Sequence, residues 1–107
     1  MAGQMVNINA WKGVGGQVLS CQVFDADGAA YDLTDMDVTV SATLDSVDQF
    51  RDLACTLDGD PTTGRFTFTP SAEELANDGV YLMQATIDNG GVIAKTDVNT
   101  LTVKVPV

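Results

Sequence analysis

From Asp37 to Leu44 the chain alternates without a break: Val38, Val40, Ala42 and Leu44 fall on one side, Thr39, Ser41 and Thr43 on the other. A period of two buries one face of an extended strand, whereas a helix would scatter the same apolar set around its circumference. The pattern recurs. Leu19, Cys21 and Val23 alternate with Ser20 and Gln22 within Gln17 to Phe24, Leu53, Cys55 and Leu57 do so within Arg51 to Leu57, and Phe66 and Phe68 within Arg65 to Thr69. The longest run opens at Asn77-Asp78-Gly79-Val80-Tyr81 and turns Tyr81, Met83, Ala85 and Ile87 one way. Thr100 to Val105 closes the chain with Leu101, Val103 and Val105 inward. Valine, threonine and isoleucine fill 28 of the 107 positions, and their branching at Cβ favours pleated backbone over helix. Pattern and propensity agree on an all-β chain.

The punctuation between these runs sets the topology. Asp25, Asp27 and Gly28 supply a turn in which glycine takes the positive φ and the aspartates bond to nearby backbone. Asp58 to Gly64 is dense in turn residues and holds Pro61, which cannot donate a ladder bond, so the chain reverses there. Asn89-Gly90-Gly91 makes another reversal, while Asp45 to Asp52 loses the alternation and reads as a crossover or an irregular edge. After Pro70, Ser71 and Glu74 have the S-x-x-E spacing of a capping box, which predicts a short helix at 71–76. A tyrosine at the start of a late strand, directly after such a connection, fits the tyrosine corner of immunoglobulin-like sandwiches, whose hydroxyl ties down the preceding loop. With a segment around Met5 to Asn9 the count reaches about seven strands. The expected fold is an immunoglobulin-like antiparallel two-sheet sandwich of about seven strands with one short helix at 71–76. Its expected core is Leu19, Cys21, Val23, Val38, Val40, Leu53, Phe66, Phe68, Tyr81, Met83, Ile87, Leu101 and Val103. One domain is expected: 11–107 as the sandwich, and 1–16 as either an N-terminal arm or its first strand.

Composition removes whole classes of function. Fifteen acidic against five basic residues give a formal charge of -10, which repels phosphate backbones and anionic lipid, so neither nucleic acid nor membrane is an expected partner. The chain has no histidine, which excludes a Ser-His-Asp triad, a Cys-His pair and any histidine-ligated zinc. One tryptophan and two tyrosines are a thin supply for a sugar-stacking platform. Met1 to Ala10 carries neither a basic n-region nor a long apolar run, so no secretory signal is expected. Cys21 and Cys55 can bridge or stay reduced; both occupy inward strand positions, where a free thiol behaves as a small apolar group, and a reduced pair is the expectation.

Several residues invite a sharper reading. Asp25, Asp27 and Asp32 place three carboxylates around a glycine turn, a possible oxygen cage for calcium, but the full 12-residue loop and its terminal glutamate are missing, so no metal and no cofactor is expected. Glu73 and Glu74 are adjacent on a helical turn, point apart, and cannot flank one bond as acid and base. Val80 and Leu82 must face outward if Tyr81, Met83 and Ala85 face the core, giving an apolar patch on a central strand, unless the N-terminal segment or the 45–52 segment covers them. Met5, Val6 and Trp11 lie beside glycines at 13, 15 and 16, where an arm that orders against a neighbour competes with a simple first strand. The interface candidates are therefore Met5, Val6, Trp11, Val80 and Leu82, and the structural candidates are Tyr81, Gly28 and Asp32. No catalytic residue is expected.

Trp11-Lys12-Gly13, the strand ending Val23-Phe24, and Asp25 to Thr34 together resemble the opening of the phage baseplate upper protein N-terminal domain family, with its strand followed by D-x-x-G-x-x-x-D-L-T. Gly64-Arg65-Phe66-Thr67-Phe68, Asp78-Gly79-Val80-Tyr81, the Asn-Gly hairpin and the closing Leu101-Thr102-Val103 follow in that family's order, so the likeness runs from about residue 11 to the end. The resemblance implies an immunoglobulin-like domain of a tailed-phage structural protein. In that family the domain begins a longer protein, whereas this sequence ends as its last strand ends, which points to a stand-alone accessory protein. The expected function is a non-enzymatic virion accessory protein, first a capsid decoration (cement) protein and otherwise a small tail or baseplate component. A bacterial immunoglobulin-like adhesion module is the alternative. The implied partners are the major capsid protein or a tail or baseplate protein, with the chain forming a homo-oligomer or symmetric array on the virion after synthesis in the host cytoplasm.

Overall fold

The computed structural model describes residues 4, 5, 7–91 and 93–105. Among them nine strands form: β1 (Ile8–Trp11), β2 (Leu19–Gln22), β3 (Asp37–Leu44), β4 (Val47–Ala54), β5 (Thr56–Leu57), β6 (Arg65–Phe68), β7 (Gly79–Asp88), β8 (Ile93–Lys95) and β9 (Asn99–Lys104). The larger sheet runs β1-β9-β7-β3-β4, with β8 also paired to β7, and the smaller runs β2-β6-β5. This is the expected two-sheet, immunoglobulin-like sandwich, richer in strands than the sequence count and not wholly antiparallel. β1 runs parallel to β9, with Ile8 opposite Leu101 and Ala10 opposite Val103.

The core lies between the inner faces, as the alternation demands. Val38, Val40 and Ala42 of β3 and Tyr81, Met83, Ala85 and Ile87 of β7 are buried, facing Leu19 and Cys21 of β2 and Phe66 and Phe68 of β6. Of the thirteen expected core residues, only Leu53 falls short, being half-buried against the cluster. Val105 is a correction: it is 57% exposed, because β9 ends at Lys104, level with the end of β1 at Trp11, and no layer remains for it to face.

Two local expectations also change. The 45–52 segment is a strand: Val47–Ala54 hairpins onto β3, but register shifts between Val40, Ala42 and Thr43 and a positive φ of 51° at Asp52 erase the period of two. Phe50, buried in that strand, is therefore invisible to an alternation test. The helix at 71–76 does not form. The capping box does, with the Ser71 amide donating to Glu74 Oε1 at 2.8 Å and the Glu74 amide to Ser71 Oγ at 3.2 Å. The segment stops after one turn, closed by Leu75 and Ala76 amides on the Ser71 and Glu73 carbonyls. One turn fixes several dihedrals for few bonds, and Asn77-Asp78-Gly79 offers no continuation. What holds the turn is Leu75, buried in the core, with its carbonyl accepting from the Gly13 amide at 2.8 Å. The one short helix among the described residues is instead a 3₁₀ turn at Pro61–Thr63, with Asp60 capping the Thr62 amide.

Candidate docking face

The buried parity of β7 decides where function can sit. With Tyr81, Met83, Ala85 and Ile87 inward, Val80 and Leu82 must point out of the larger sheet, and they are 54% and 55% exposed. Register sets their neighbours. Leu82 stands between Thr100 of β9 and Thr43 of β3, and Val80 lies beside Thr102. Among the described residues, neither the N-terminal segment nor β4 covers this column.

A third apolar residue joins them through a break in the ladder. β7 pairs with β9 over Gly79–Met83 and with β8 over Thr86–Asp88, so residues 96–98 bulge between the two pairings. Thr96 turns inward, 1% exposed, with its Oγ accepting from the Ala85 amide at 3.0 Å. Val98 is thereby pushed out, 58% exposed. Leu82 and Gln84 floor a shallow depression of about 500 Å³, with Asp48 and Asp52 on the β4 side and Lys95 and Val98 on the β8 side. A second depression, of about 530 Å³, lies on the smaller sheet and is lined by Ser20, Gln22, Thr56, Arg65 and Thr67 among others. None of its lining residues is an exposed large apolar side chain.

Strand addition is hindered at the β1, β4 and β5 edges. On β1, the Gln17 side-chain amide donates to the Trp11 carbonyl at 2.8 Å while its Oε1 accepts from the Trp11 amide at 2.8 Å. On β4, the left-handed Asp52 and the Gln49 side chain, which donates to the Val47 carbonyl at 3.1 Å, disturb the outer ladder. β5 is only two residues long.

The other candidates fall as follows. Met5 is a correction: it is 7% exposed, bridges Val23, and belongs to the core, so it cannot be a contact residue. Val6 lies outside the described residues. Trp11 is 48% exposed, but at the β1 edge beside Lys104, apart from the Val80–Leu82 column. Tyr81 is fully buried and its hydroxyl donates to the Asn77 carbonyl, closing the corner onto the loop before β7. Burial, with a further push from the Asp78 carboxylate, raises its pKa. Gly28 adopts φ 83° in its turn. Asp25 and Asp32 are engaged locally: Asp25 Oδ1 accepts from the Asp27 and Ala29 amides, and Asp32 Oδ1 from the Thr34 hydroxyl and amide. The Thr34 hydroxyl, then its amide, hold the Asp32 carboxyl below its ordinary range. No cluster of three or more metal-ligating side chains occurs among the described residues. Sequence reasoning missed Val98 and Lys95, since nothing in the 93–98 stretch marks the bulge that aims them.

Cys21 and Cys55 are free thiols, and burial pushes both up to about 12, with each other's charge adding at Cys55. β2 and β5 flank β6, which sets their backbones roughly 9–10 Å apart, beyond the reach of about 7 Å between bridged Cα atoms. The Cys55 amide, one residue before β5, still donates to Val38 in the other sheet at 3.0 Å.

No protein-family model and no curated protein matches this chain. Among solved structures, the chain is similar to a crystal structure of chicken TCR with a TM-score of 0.54 at 8% identity, aligned over 100% of this chain and 57% of that one. The chain thus spans little more than half the length of that neighbour, and the likeness establishes the immunoglobulin-like fold.

Proposed function

We propose that this protein is a non-enzymatic structural accessory protein of a tailed-phage virion, a capsid decoration protein whose contact is made by the outward face of the larger sheet. The observation that carries the docking reading is the column Val80–Leu82, widened by Val98, exposed at the centre of the larger sheet. Burying a few hundred Å² of apolar surface at about 25 cal/mol per Å² is worth several kcal/mol, which is weak for one contact and strong when repeated over a symmetric lattice. That arithmetic favours a capsid over a tail component present in few copies. The resemblance of residues 11–103 to the phage family supports the virion setting, and the lack of histidine supports a non-catalytic role. The test is quantitative mass spectrometry of purified particles. A copy number comparable to that of the major capsid protein is expected, whereas a number matching tail symmetry would move the protein to the tail or baseplate. The fold likeness to a TCR favours a second reading, an immunoglobulin-like adhesion module, and absence of the protein from particles would favour it.

A further inference from the structure

We propose that the occupant of the Val80–Leu82 face is a second copy of this chain, packed sheet against sheet about a two-fold axis running along β7. The proposal rests on the reading of this face as the adhesive surface and names its partner: the face joins copy to copy, so attachment to the particle is held by pairing within the array and is lost with the pair. Charge distribution carries it. Of five cationic residues, Arg51, Lys95 and Lys104 lie on strands of the larger sheet and Lys12 follows β1, whereas Arg65 alone belongs to the smaller sheet. Asp25, Asp27, Asp32, Asp35, Asp58, Asp60, Glu73 and Glu74 all lie on loops outside that sheet. The strands of the larger sheet carry Asp37, Asp48, Asp52 and Asp88 against those three cations, so in a chain of net charge -10 this sheet is close to neutral, and the arrangement of charge across it decides how a second copy can sit.

Within the face the charges are divided. The β4 flank carries Asp48 and Asp52, with Arg51 already held by Asp48 at 3.4 Å. The β8 and β9 flank on the other side of β7 carries Lys95 and Lys104. Turning a second copy about an axis along β7 lays the lysine flank of each over the aspartate flank of the other, with Val80, Leu82 and Val98 of both copies in the middle. This is the self-complementarity that an isologous interface requires. Five strands at about 4.8 Å make the face roughly 24 Å wide, so 20–30 Å of strand length gives about 500–700 Å² per partner, near the standard of about 800 Å².

Sedimentation velocity of the intact chain over a range of micromolar concentrations tests this. The wild type should form a dimer, and Leu82→Asp should be monomeric with an unchanged melt, since Leu82 is already exposed. Lys95→Glu and Asp52→Lys, which lie at nearly the same level along β7, should each weaken the dimer by about tenfold, and the two together in one chain should restore it. A monomeric wild type at every concentration, a dimer indifferent to Leu82→Asp, or a double variant no better than the singles overturns the proposal. Particle retention separates the two readings. If the wild type is monomeric yet Leu82→Asp is lost from particles, the second copy is wrong and the face remains adhesive. If Leu82→Asp is monomeric yet still decorates, the dimer stands and the particle contact lies elsewhere.

Discussion

Gly64 is held where no other residue fits. Its φ is 72°, and a Cβ there would stand 2.5 Å from the Val23 carbonyl oxygen and 2.9 Å from that of Tyr31. All the obstructing atoms are backbone, so nothing can swing aside. Gly64→Ala should therefore cost about 2–4 kcal/mol, strain plus clash, visible as a lowered midpoint in a thermal melt. Cys21 makes a different prediction. Burial pushes its thiol up to about 12 in the fold, from about 9 when open to water, so between those values the unfolded chain releases a proton that the folded chain keeps. Stability is unaffected below about pH 9 and falls as pH rises toward 12, by at most about 1.4 kcal/mol per pH unit for one proton. Cys55 and Tyr81, both raised, act with the same sign. Denaturant midpoints measured across the alkaline range should decline less steeply in Cys21→Ala than in the wild type, whatever the offset from the lost side chain.

At the scale of elements, the turn at 71–76 and the Tyr81 corner act on one loop. Glu74→Ala removes the bond to the Ser71 amide and should cost about 0.5–1 kcal/mol; Tyr81→Phe removes the hydroxyl bond to Asn77 and should cost about 1 kcal/mol. Because both fix the path from Pro70 to Gly79, the double variant should lose less than the sum in chemical denaturation. Which elements were legible in the sequence follows from the same physics. β3, β6 and β7 announce themselves because an uninterrupted period of two faces one core, and the capping box was legible because its two partners lie three residues apart. β4 was not, since its bulges shift parity around Asp52 and hide Phe50. Leu33 and Leu75, each fully buried, sit in irregular segments where no period exists to mark them. The outward column of Val80 and Leu82 follows from parity alone, while Val98 and Lys95 depend on a bulge set by Thr96, a tertiary contact with no local signature. Met5 misled because flanking glycines say nothing about whether a side chain finds a core.

At the scale of the whole molecule, a strongly acidic sandwich gathers most of its cations on one sheet and leaves that sheet's central strand apolar on the solvent side. Such an arrangement binds through desolvated side chains at the centre, with charge at the flanks choosing orientation. Moderate salt should therefore change the rate of attachment more than its extent, a distinction that surface plasmon resonance against immobilised particles can read. The most direct measurement of the central claim is particle retention of the Val80→Asp/Leu82→Asp variant, paired with a melt of the isolated protein. The predicted result is loss from particles with the melting midpoint within a few degrees of the wild type, both positions being more than half exposed. Full occupancy on particles by a variant that is just as stable would contradict the assignment of this face.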